Sequence, residues 1–217
     1  PKVGETVAVR QTSISLGGKG ANQAVAATRL GSKTNLIGTI GKDGFGQDAV
    51  RQLHDFGVDA WLMELTNTAT GMAFIDVGPD GANMIRLSSG ANGLFRPDHV
   101  LSHSGVIQSS SVVLLQNEVD LSASLAAAKV ARQAGALVVM DPAPAPEPDW
   151  GREVFSSFDL LTPNAHEAGR IVGQEPKTLN EAREASMQLR ELGLRGAIVT
   201  MGELGVAWSF DSGEGVL

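Results

Sequence analysis

Cysteine is absent from this chain of 217 residues. The sequence therefore excludes disulfide bridges, thiolate zinc sites and cysteine nucleophiles. Basic residues are also few: 17 lysines and arginines stand against 24 aspartates and glutamates, and they form no basic stripe. The formal net charge of −7 argues against nucleic acid or an anionic membrane surface as a partner.

Long apolar runs, signal-peptide patterns, internal repeats and low-complexity tracts are missing as well. We therefore expect a cytoplasmic protein that does not enter a membrane. The hydrophobic fraction of 42% and the charged fraction of 19% are typical of globular proteins. The length suffices for one domain with a proper core, and we expect residues 1–217 to form a single α/β domain.

Short apolar runs alternate with helical patterns along the chain. Buried parallel strands are predicted for these runs, at residues 36–40, 112–116, 137–140, 160–162 and 197–200. Helices are predicted between them, at residues 45–56, 122–133 and 179–192. Thr178 and Glu181 form a capping box before the last helix. This alternation predicts an α/β fold with a mostly parallel sheet and helices on both faces, whose active site lies outside the carboxyl ends of the strands.

Two segments interrupt the alternation. Residues 6–16 have an extended pattern, and residues 72–77 and 83–87 predict a hairpin that turns through Gly78-Pro79-Asp80-Gly81. Neither segment has a helix to cover it. The large apolar side chains on the hairpin therefore need another cover, namely those of Met72, Phe74 and Leu87.

The most informative stretch is Gly17-Gly18-Lys19-Gly20-Ala21-Asn22-Gln23-Ala24. Glycines there permit a sharp turn and a close approach to a ligand. Apolar residues at helical spacing follow as far as Leu30, and Gly31 is placed to end the helix. A polar loop before a helix N-terminus favours oxygen-rich ligands, to which Lys19 adds a charge and Asn22 an amide. From the residues alone, an ordinary glycine-rich turn is the alternative.

This octapeptide resembles the first motif of the pfkB carbohydrate kinase family, in particular its ribokinase branch. Further similar segments follow in the family's order, at residues 36–46, 70–73, 90–92, 115–118, 141–144, 163–167 and 199–206. The resemblance implies a ribokinase-like α/β fold with a small β-lid. The lid would consist of segments at about 4–16 and 70–92, close over the sugar and join two subunits into a homodimer. A hairpin without any partner is the alternative.

Site residues also follow from the resemblance. The sugar would be bound by Glu118, which takes up ring hydroxyls, and by the glycine-rich stretch of Gly17, Gly18, Lys19, Gly20, Ala21 and Asn22. The nucleotide would be bound by Asn164 and by the loop of Thr200, Met201, Gly202, Glu203, Leu204 and Gly205. From the residues alone, Glu118 could equally be a solvated loop residue, and the loop a simple hairpin turn.

Asn164 and Glu167 stand three residues apart at the start of a predicted helix, so they can face one ligand. A carboxylate beside a triphosphate needs a cation between them, and the resemblance implies that Glu167 positions hydrated Mg²⁺. A favourable acidic residue in a first helical turn is the alternative. ATP and Mg²⁺ are the implied cofactors, with a monovalent cation such as K⁺ at a site outside this chain.

The implied reaction is phosphoryl transfer from ATP to the primary hydroxyl of ribose. Alternatives are another pfkB kinase, acting on fructose, a keto-deoxy sugar acid or a nucleoside, and a non-catalytic sugar-binding protein. A nicotinamide dehydrogenase is disfavoured, because no G-x-G-x-x-G follows the first strand. The family's D-T-x-G-A-G-D segment is not found, and Asp141 and Asp211 stand in other contexts. We therefore expect the catalytic base to lie beyond Leu217 and the chain to be a piece of a longer kinase.

Overall fold

The computed structural model describes residues 4, 6, 8, 9, 11–65, 67–78, 83–146 and 150–217. The strands within these ranges are β1 (Asn35–Gly41), β2 (Asp59–Leu65), β3 (Met72–Val77), β4 (Asn83–Ser88), β5 (Val112–Gln116), β6 (Leu137–Asp141), β7 (Leu160–Leu161), β8 (Gly196–Thr200), β9 (Val206–Phe210) and β10 (Gly213–Val216). The α-helices are α1 (Lys19–Arg29), α2 (Gly44–Asp55), α3 (Pro97–Leu101), α4 (Ser104–Gln108), α5 (Leu121–Gln133), α6 (Arg152–Phe155), α7 (Ala165–Val172) and α8 (Leu179–Arg190). The predicted turn residues Pro79, Asp80 and Gly81 lie outside the described ranges, as do residues 7 and 10 of the extended segment and residue 5 of the expected lid.

The largest sheet has six strands in the order β10-β9-β8-β7-β6-β5. Strands β5 to β8 are parallel to one another, whereas β9 and β10 are antiparallel additions at one side. The predicted α/β fold with a mostly parallel sheet is thus confirmed. Because parallel strands end at one edge, the residues after β5, β6, β7 and β8 are brought together.

The first predicted strand has a different partner from the others. β1 pairs in parallel with β2, and the two form a separate two-stranded sheet within the described residues. β2 was not predicted: its apolar run Ala60-Trp61-Leu62-Met63 is only four residues long and does not alternate, so it does not distinguish a strand from a helix. The β1–β2 pair packs on a small core of Ala24, Leu53 and Val58.

The predicted helices agree closely with α2, α5 and α8. The capping box before α8 is confirmed: the Glu181 amide donates to Thr178 Oγ1, and Glu181 Oε2 accepts from the Thr178 amide. Helix α5 buries an alanine-rich face in the main core, which lies against the six-stranded sheet. Small side chains let the helix approach the strands closely. Among the described residues, no helix is long and apolar enough to cross a membrane.

The predicted hairpin is formed by β3 and β4, which pair only with each other in the described chain. The register opposes Ile75 to Ile85 and Ala73 to Leu87, which puts these four residues on one face. Phe74 opposes Arg86 and therefore lies on the other face. Met72 and Phe74 share this second face, so the three side chains predicted to need a cover are divided between the two faces of the hairpin. Residues 11–16, from the extended segment, belong to no strand.

Candidate active site

Polar side chains collect at the carboxyl edge of the parallel strands. β5 ends at Gln116, β6 at Asp141 and β8 at Thr200, and Asn164 forms an isolated bridge with Thr200. A cleft of about 350 Å³ opens at this edge. Its lining combines side chains from α1 with those that follow the strands: Lys19, Gln23, Asp141, Ala143, Thr162, Asn164, Glu167 and Thr200.

Helix α1 begins inside the glycine-rich stretch rather than after it. Gly18 has a φ of 90°, a conformation that favours glycine, and the Asn22 amide donates to the Gly18 carbonyl at 3.0 Å. The predicted loop is therefore shorter than expected, and Gly20, Ala21 and Asn22 lie in the first helical turn. The Lys19 amide donates to Glu118 Oε2 at 2.7 Å. This bond joins the helix N-terminus to the loop after β5, where a carboxylate also suits the helix dipole.

Gly20 allows α1 to approach the end of β5 closely. A Cβ atom at this position would lie 3.1 Å from Nε2 of Gln116. The other end of the same amide, Gln116 Oε1, accepts a hydrogen bond from the Glu118 amide at 2.7 Å. Gln116 therefore supports the loop that carries Glu118, and Gly20 leaves room for it. Gly20 was predicted to permit a turn and a close approach to a ligand, and in the structure it leaves space for the Gln116 side chain.

Asn164 and Glu167 form a capping box at the start of α7. The Glu167 amide donates to Asn164 Oδ1 at 2.9 Å, and the Asn164 amide donates to Glu167 Oε2 at 2.8 Å. Glu167 is buried, with 7% of its surface exposed. The two residues thus face each other across the helix start, whereas the spacing was interpreted as letting both face one ligand. Each side chain keeps a second polar atom outside the box, the Asn164 Nδ2 and the Glu167 Oε1.

Asp141 is the acidic residue of the cleft that sequence reasoning set aside. Its half-buried position raises the pKa of its carboxyl to about 6, chiefly by desolvation. The positive charge of Lys19 opposes this shift, while the negative charges of Glu167 and Glu118 add to it. These four residues are therefore electrostatically coupled across the cleft. Asp141 directly follows a predicted strand, and this position could have identified it from the sequence as a candidate site residue.

The loop after β8 is a tight connection between two strands. It contains a 3₁₀-helix at Gly202–Leu204, and Gly202 and Gly205 have φ angles of 59° and 113°. The Met201 amide donates to the Gly205 carbonyl at 2.8 Å, while the Met201 side chain is buried in the main core. Thr200 alone of this loop lines the cleft. Gly202, Glu203 and Leu204 follow in the sequence and are exposed to solvent.

The structure brings only part of the predicted site into the cleft. Four of the predicted residues line it, namely Lys19, Asn164, Glu167 and Thr200. Glu118 is not among the lining residues, but it accepts a hydrogen bond from the Lys19 amide. Asn22 is exposed and is not among the lining residues. Lining residues that the sequence analysis did not assign are Gln23, Asp141, Ala143 and Thr162. Gln23 stands four positions after Lys19, so the helical period could have found it.

The donors in the cleft fit a hard cation. Carboxylates of Asp141 and Glu167, the Asn164 amide and threonine hydroxyls are the oxygen-rich ligands that Mg²⁺ prefers. A cation would also offset the negative charges of Glu167 and Glu118, which add to the desolvation that raises the pKa of Asp141. The described residues contain no cluster of three or more histidine or acidic ligands close enough to hold a metal. Mg²⁺ usually keeps several waters and shares its ligands with phosphates, and this donor set suits that mode of binding.

The fold and the polar cleft at its carboxyl edge define an α/β protein that binds a polar ligand at the ends of its parallel strands. The family model for pfkB family carbohydrate kinases matches residues 2–216. The chain belongs to the pfkB family of carbohydrate kinases, which are phosphotransferases with an alcohol acceptor.

Relatives and solved structures agree with this membership. The chain is 37% identical over 206 residues to a ribokinase of Haemophilus influenzae, covering 94% of this chain and 67% of the relative. It is 34% identical over 213 residues to a deoxyribokinase of Salmonella typhi, covering 96% and 68%. The ribokinase of Arabidopsis thaliana complexed with ribose and ATP superposes with a TM-score of 0.87 at 29% identity, covering 100% of this chain and 70% of that one. The ribokinase of Thermotoga maritima has a TM-score of 0.86, also at 29% identity, with the same coverage.

Proposed function

We propose that the protein transfers the γ-phosphoryl group of ATP to the primary hydroxyl of ribose. The convergence of Lys19, Asn164, Glu167 and Thr200 on one cleft carries the proposal, because these residues come from both the sugar and the nucleotide motifs. The 37% identity to a ribokinase and the likeness to a ribokinase bound to ribose and ATP support it. In-line transfer needs the two substrates side by side, which a shared cleft permits.

On the sugar side, we assign Glu118 to the ring hydroxyls. Its carboxylate accepts the Lys19 amide through Oε2, which orients the side chain and leaves Oε1 for a ligand. The stretch from Gly17 to Asn22 would surround the sugar with backbone groups, the Lys19 ammonium and the Asn22 amide. A polar ligand in a partly dry site needs such replacements for its hydrogen bonds to water.

On the nucleotide side, we assign Asn164 and the loop from Thr200 to Gly205 to ATP. Glu167 and Asp141 would hold hydrated Mg²⁺, which when bound neutralises charge on the phosphates. In the capping box, Glu167 Oε2 accepts a hydrogen bond from the Asn164 amide, which holds the side chain in place. Glu167 Oε1 is therefore already oriented, so little further side-chain entropy is lost when it binds a ligand. The protein thereby contributes mainly position and electrostatics to the transfer.

A 2-deoxypentose is the second candidate substrate. The deoxyribokinase of Salmonella typhi is 34% identical over 96% of this chain, close to the 37% identity with the ribokinase of Haemophilus influenzae. The two sugars differ by one hydroxyl. A site that pairs that hydroxyl would discriminate strongly between them, whereas one that leaves it in water would not.

The organisation of the protein is part of the proposal. Residues 1–217 would belong to a single ribokinase-like domain, with lid segments at about 4–16 and 70–92. The exposed apolar face of the β3–β4 hairpin supports pairing with a second copy, giving a homodimer. We further propose a cytoplasmic protein without nucleic-acid or membrane partners, and a monovalent cation bound outside this chain.

Glu118→Gln tests the sugar assignment in the protein that carries this chain. We expect the KM for ribose to rise at least about tenfold, because a charged acceptor is replaced by a neutral amide. The KM for ATP should change less than about twofold. Steady-state kinetics with each substrate varied in turn measure both values.

Glu184→Gln is the matched control, since Glu184 is exposed on α8 and does not line the cleft. Equal effects of Glu118→Gln on both KM values would contradict the assignment. A panel of ribose, 2-deoxyribose and fructose identifies the acceptor. Faster turnover of 2-deoxyribose would favour the second candidate, and no turnover of any sugar would overturn the kinase proposal.

A further inference from the structure

The segment of residues 38–46 resembles a family motif, yet none of its residues lines the cleft. It contacts the base of the β3–β4 hairpin instead. We infer that Asp43 is a positioning residue for this hairpin: it fixes the hairpin base to the junction of β1 and α2 and thereby sets the affinity for sugar. The effect on sugar affinity rests on the proposed function, in which the hairpin covers the sugar.

Asp43 makes two kinds of contact with its carboxylate. It is the N-cap of α2, and its Oδ1 accepts the Gly46 amide at 2.8 Å. The same carboxylate reaches Thr70, 27 positions away, with Oδ2 accepting the Thr70 amide at 2.8 Å and Oδ1 accepting the Thr70 hydroxyl at 2.6 Å. Thr70 lies two residues before β3 begins. A helix cap and a hairpin base therefore share one carboxylate.

Thr70 extends this connection to the end of β1. Its hydroxyl oxygen accepts the Gly41 amide at 3.0 Å while its hydrogen is donated to Asp43. The hydrogen bonds to Asp43 also hold the pKa of its carboxyl below the ordinary value, with the Thr70 side chain as the largest cause. The carboxylate is therefore charged at neutral pH, and its bonds are charge-assisted.

Two glycines permit this close approach. A Cβ atom at Gly41 would lie 2.4 Å from the Thr70 amide nitrogen and 2.5 Å from the Thr68 carbonyl oxygen. A Cβ atom at Gly46 would lie 2.9 Å from the Thr70 hydroxyl. Larger residues would push the hairpin base away from the junction, so the glycines of this motif serve packing against Thr70.

The second arm of the hairpin is fixed at the same place. The Ala91 amide donates to the Ala69 carbonyl at 2.9 Å, and Gly90 has a φ of 48° with its α-carbon close to Ala69. The buried Thr39 hydroxyl donates to the Ala91 carbonyl at 2.9 Å. Both arms thus meet β1 next to Asp43. Two fixed arms restrict rotation of the whole hairpin, so loss of the Asp43 contact should loosen it at its base.

Hydrogen exchange of Asp43→Asn in the whole protein tests the anchoring itself. The new amide would place a donor against the Thr70 amide, which is also a donor, so the contact is lost. We expect peptides covering residues 68–77 and 83–92 to exchange about tenfold faster than in the unsubstituted protein. We also expect the KM for the sugar to rise about three- to tenfold, with the KM for ATP unchanged.

Thr70→Val and Thr70→Ser keep the test valid if Asp43→Asn does not fold. Valine removes the hydroxyl at nearly constant shape and should reproduce both effects, whereas serine keeps the hydroxyl and should restore the original values. Asp48→Asn is the matched control, because Asp48 is exposed on α2 and pairs with the exposed Arg51. Unchanged exchange at the hairpin in Asp43→Asn and Thr70→Val would overturn the inference. Faster exchange with an unchanged sugar KM would support the anchor and count against the lid function of the proposed kinase.

Discussion

Asp141 shows how a single side chain can be costly to the fold and useful to the site. Desolvation and the neighbouring acids raise its pKa to about 6, so the folded state disfavours the ionised form. The stability contribution of the neutral carboxyl is fully present below the unfolded pKa of about 3.8 and is lost as the pH rises through about 6. At neutral pH the charged group therefore destabilises the protein, as groups at functional sites often do.

We predict that Asp141→Asn stabilises the protein at pH 7.5 but not at pH 4. The gain should be about 1 kcal/mol, after discounting the pKa shift for the half-exposed position of the side chain. This corresponds to roughly 2–4 °C in Tm for a chain of this size. Thermal unfolding at both pH values, without nucleotide or divalent cations, measures the difference.

Asp43→Asn provides a control of opposite sign. The pKa of Asp43 is lowered by its bonds to Thr70, so its charged form favours the folded state and neutralisation should lower the Tm at pH 7.5. The loss should shrink as the pH falls toward 3. Equal behaviour of the two variants at every pH would contradict both predictions.

At the scale of elements, the capping boxes show which local signals are strong. Thr178 and Glu181 were predicted to start α8, and their reciprocal bonds are present. The box of Asn164 and Glu167 has the same spacing, but its residues were assigned to ligand binding, with an acidic residue in the first helical turn as the alternative for Glu167. One pair therefore serves a helix start alone, whereas the other orients groups of the candidate site as well.

Thr178→Ala should lower the stability of the protein by about 1 kcal/mol, because the cap of α8 is lost. Thr178→Ser keeps the hydroxyl and should retain most of the stability. Chemical denaturation of the three proteins gives the comparison. Since Thr178 does not line the cleft, the KM values should stay unchanged. A serine variant as unstable as the alanine variant would show that the hydroxyl is not the stabilising group.

At the scale of the molecule, the hairpin is the surface with the clearest need for a partner. One face holds Ile75, Ile85 and Leu87, all exposed, while the other carries an ion pair between Asp76 and Arg86 at 2.8 Å. The sequence predicted an uncovered hairpin. The register places Ile75, Ile85 and Leu87 on one face, whereas the other face combines this ion pair with the exposed side chains of Phe74 and Met84.

Ile75→Lys should convert the proposed homodimer to a monomer, since a charge would be buried in an apolar interface. Sedimentation velocity of the protein that carries this chain measures the mass. Leu101→Lys is the matched control, because Leu101 is 51% exposed and Ile75 is 55% exposed. A dimer that persists in Ile75→Lys, or dissociates equally in both variants, would contradict the assignment of this face.

The type and order of most elements follow from local patterns in the amino-acid sequence. Periodicity, caps and glycines act over a few residues, so β5, β6, α2, α5 and α8 could be found within one or two positions. The sequence also placed Glu118, Asp141 and Asn164 after predicted strands, and parallel pairing then brings them to one edge. The family followed from motifs that keep their order along the chain.

Which residues come into contact depends on how the elements pack against one another in the tertiary structure. Lys19 and Glu118 are 99 positions apart, and their contact depends on how α1 lies against β5. The burial that raises the pKa of Asp141, the packing of Gly20 on Gln116 and the hold of Asp43 on Thr70 likewise depend on element packing. Local patterns carry no information on such distances. They are set by sheet register and by the close packing of the whole core, in which each contact depends on the others.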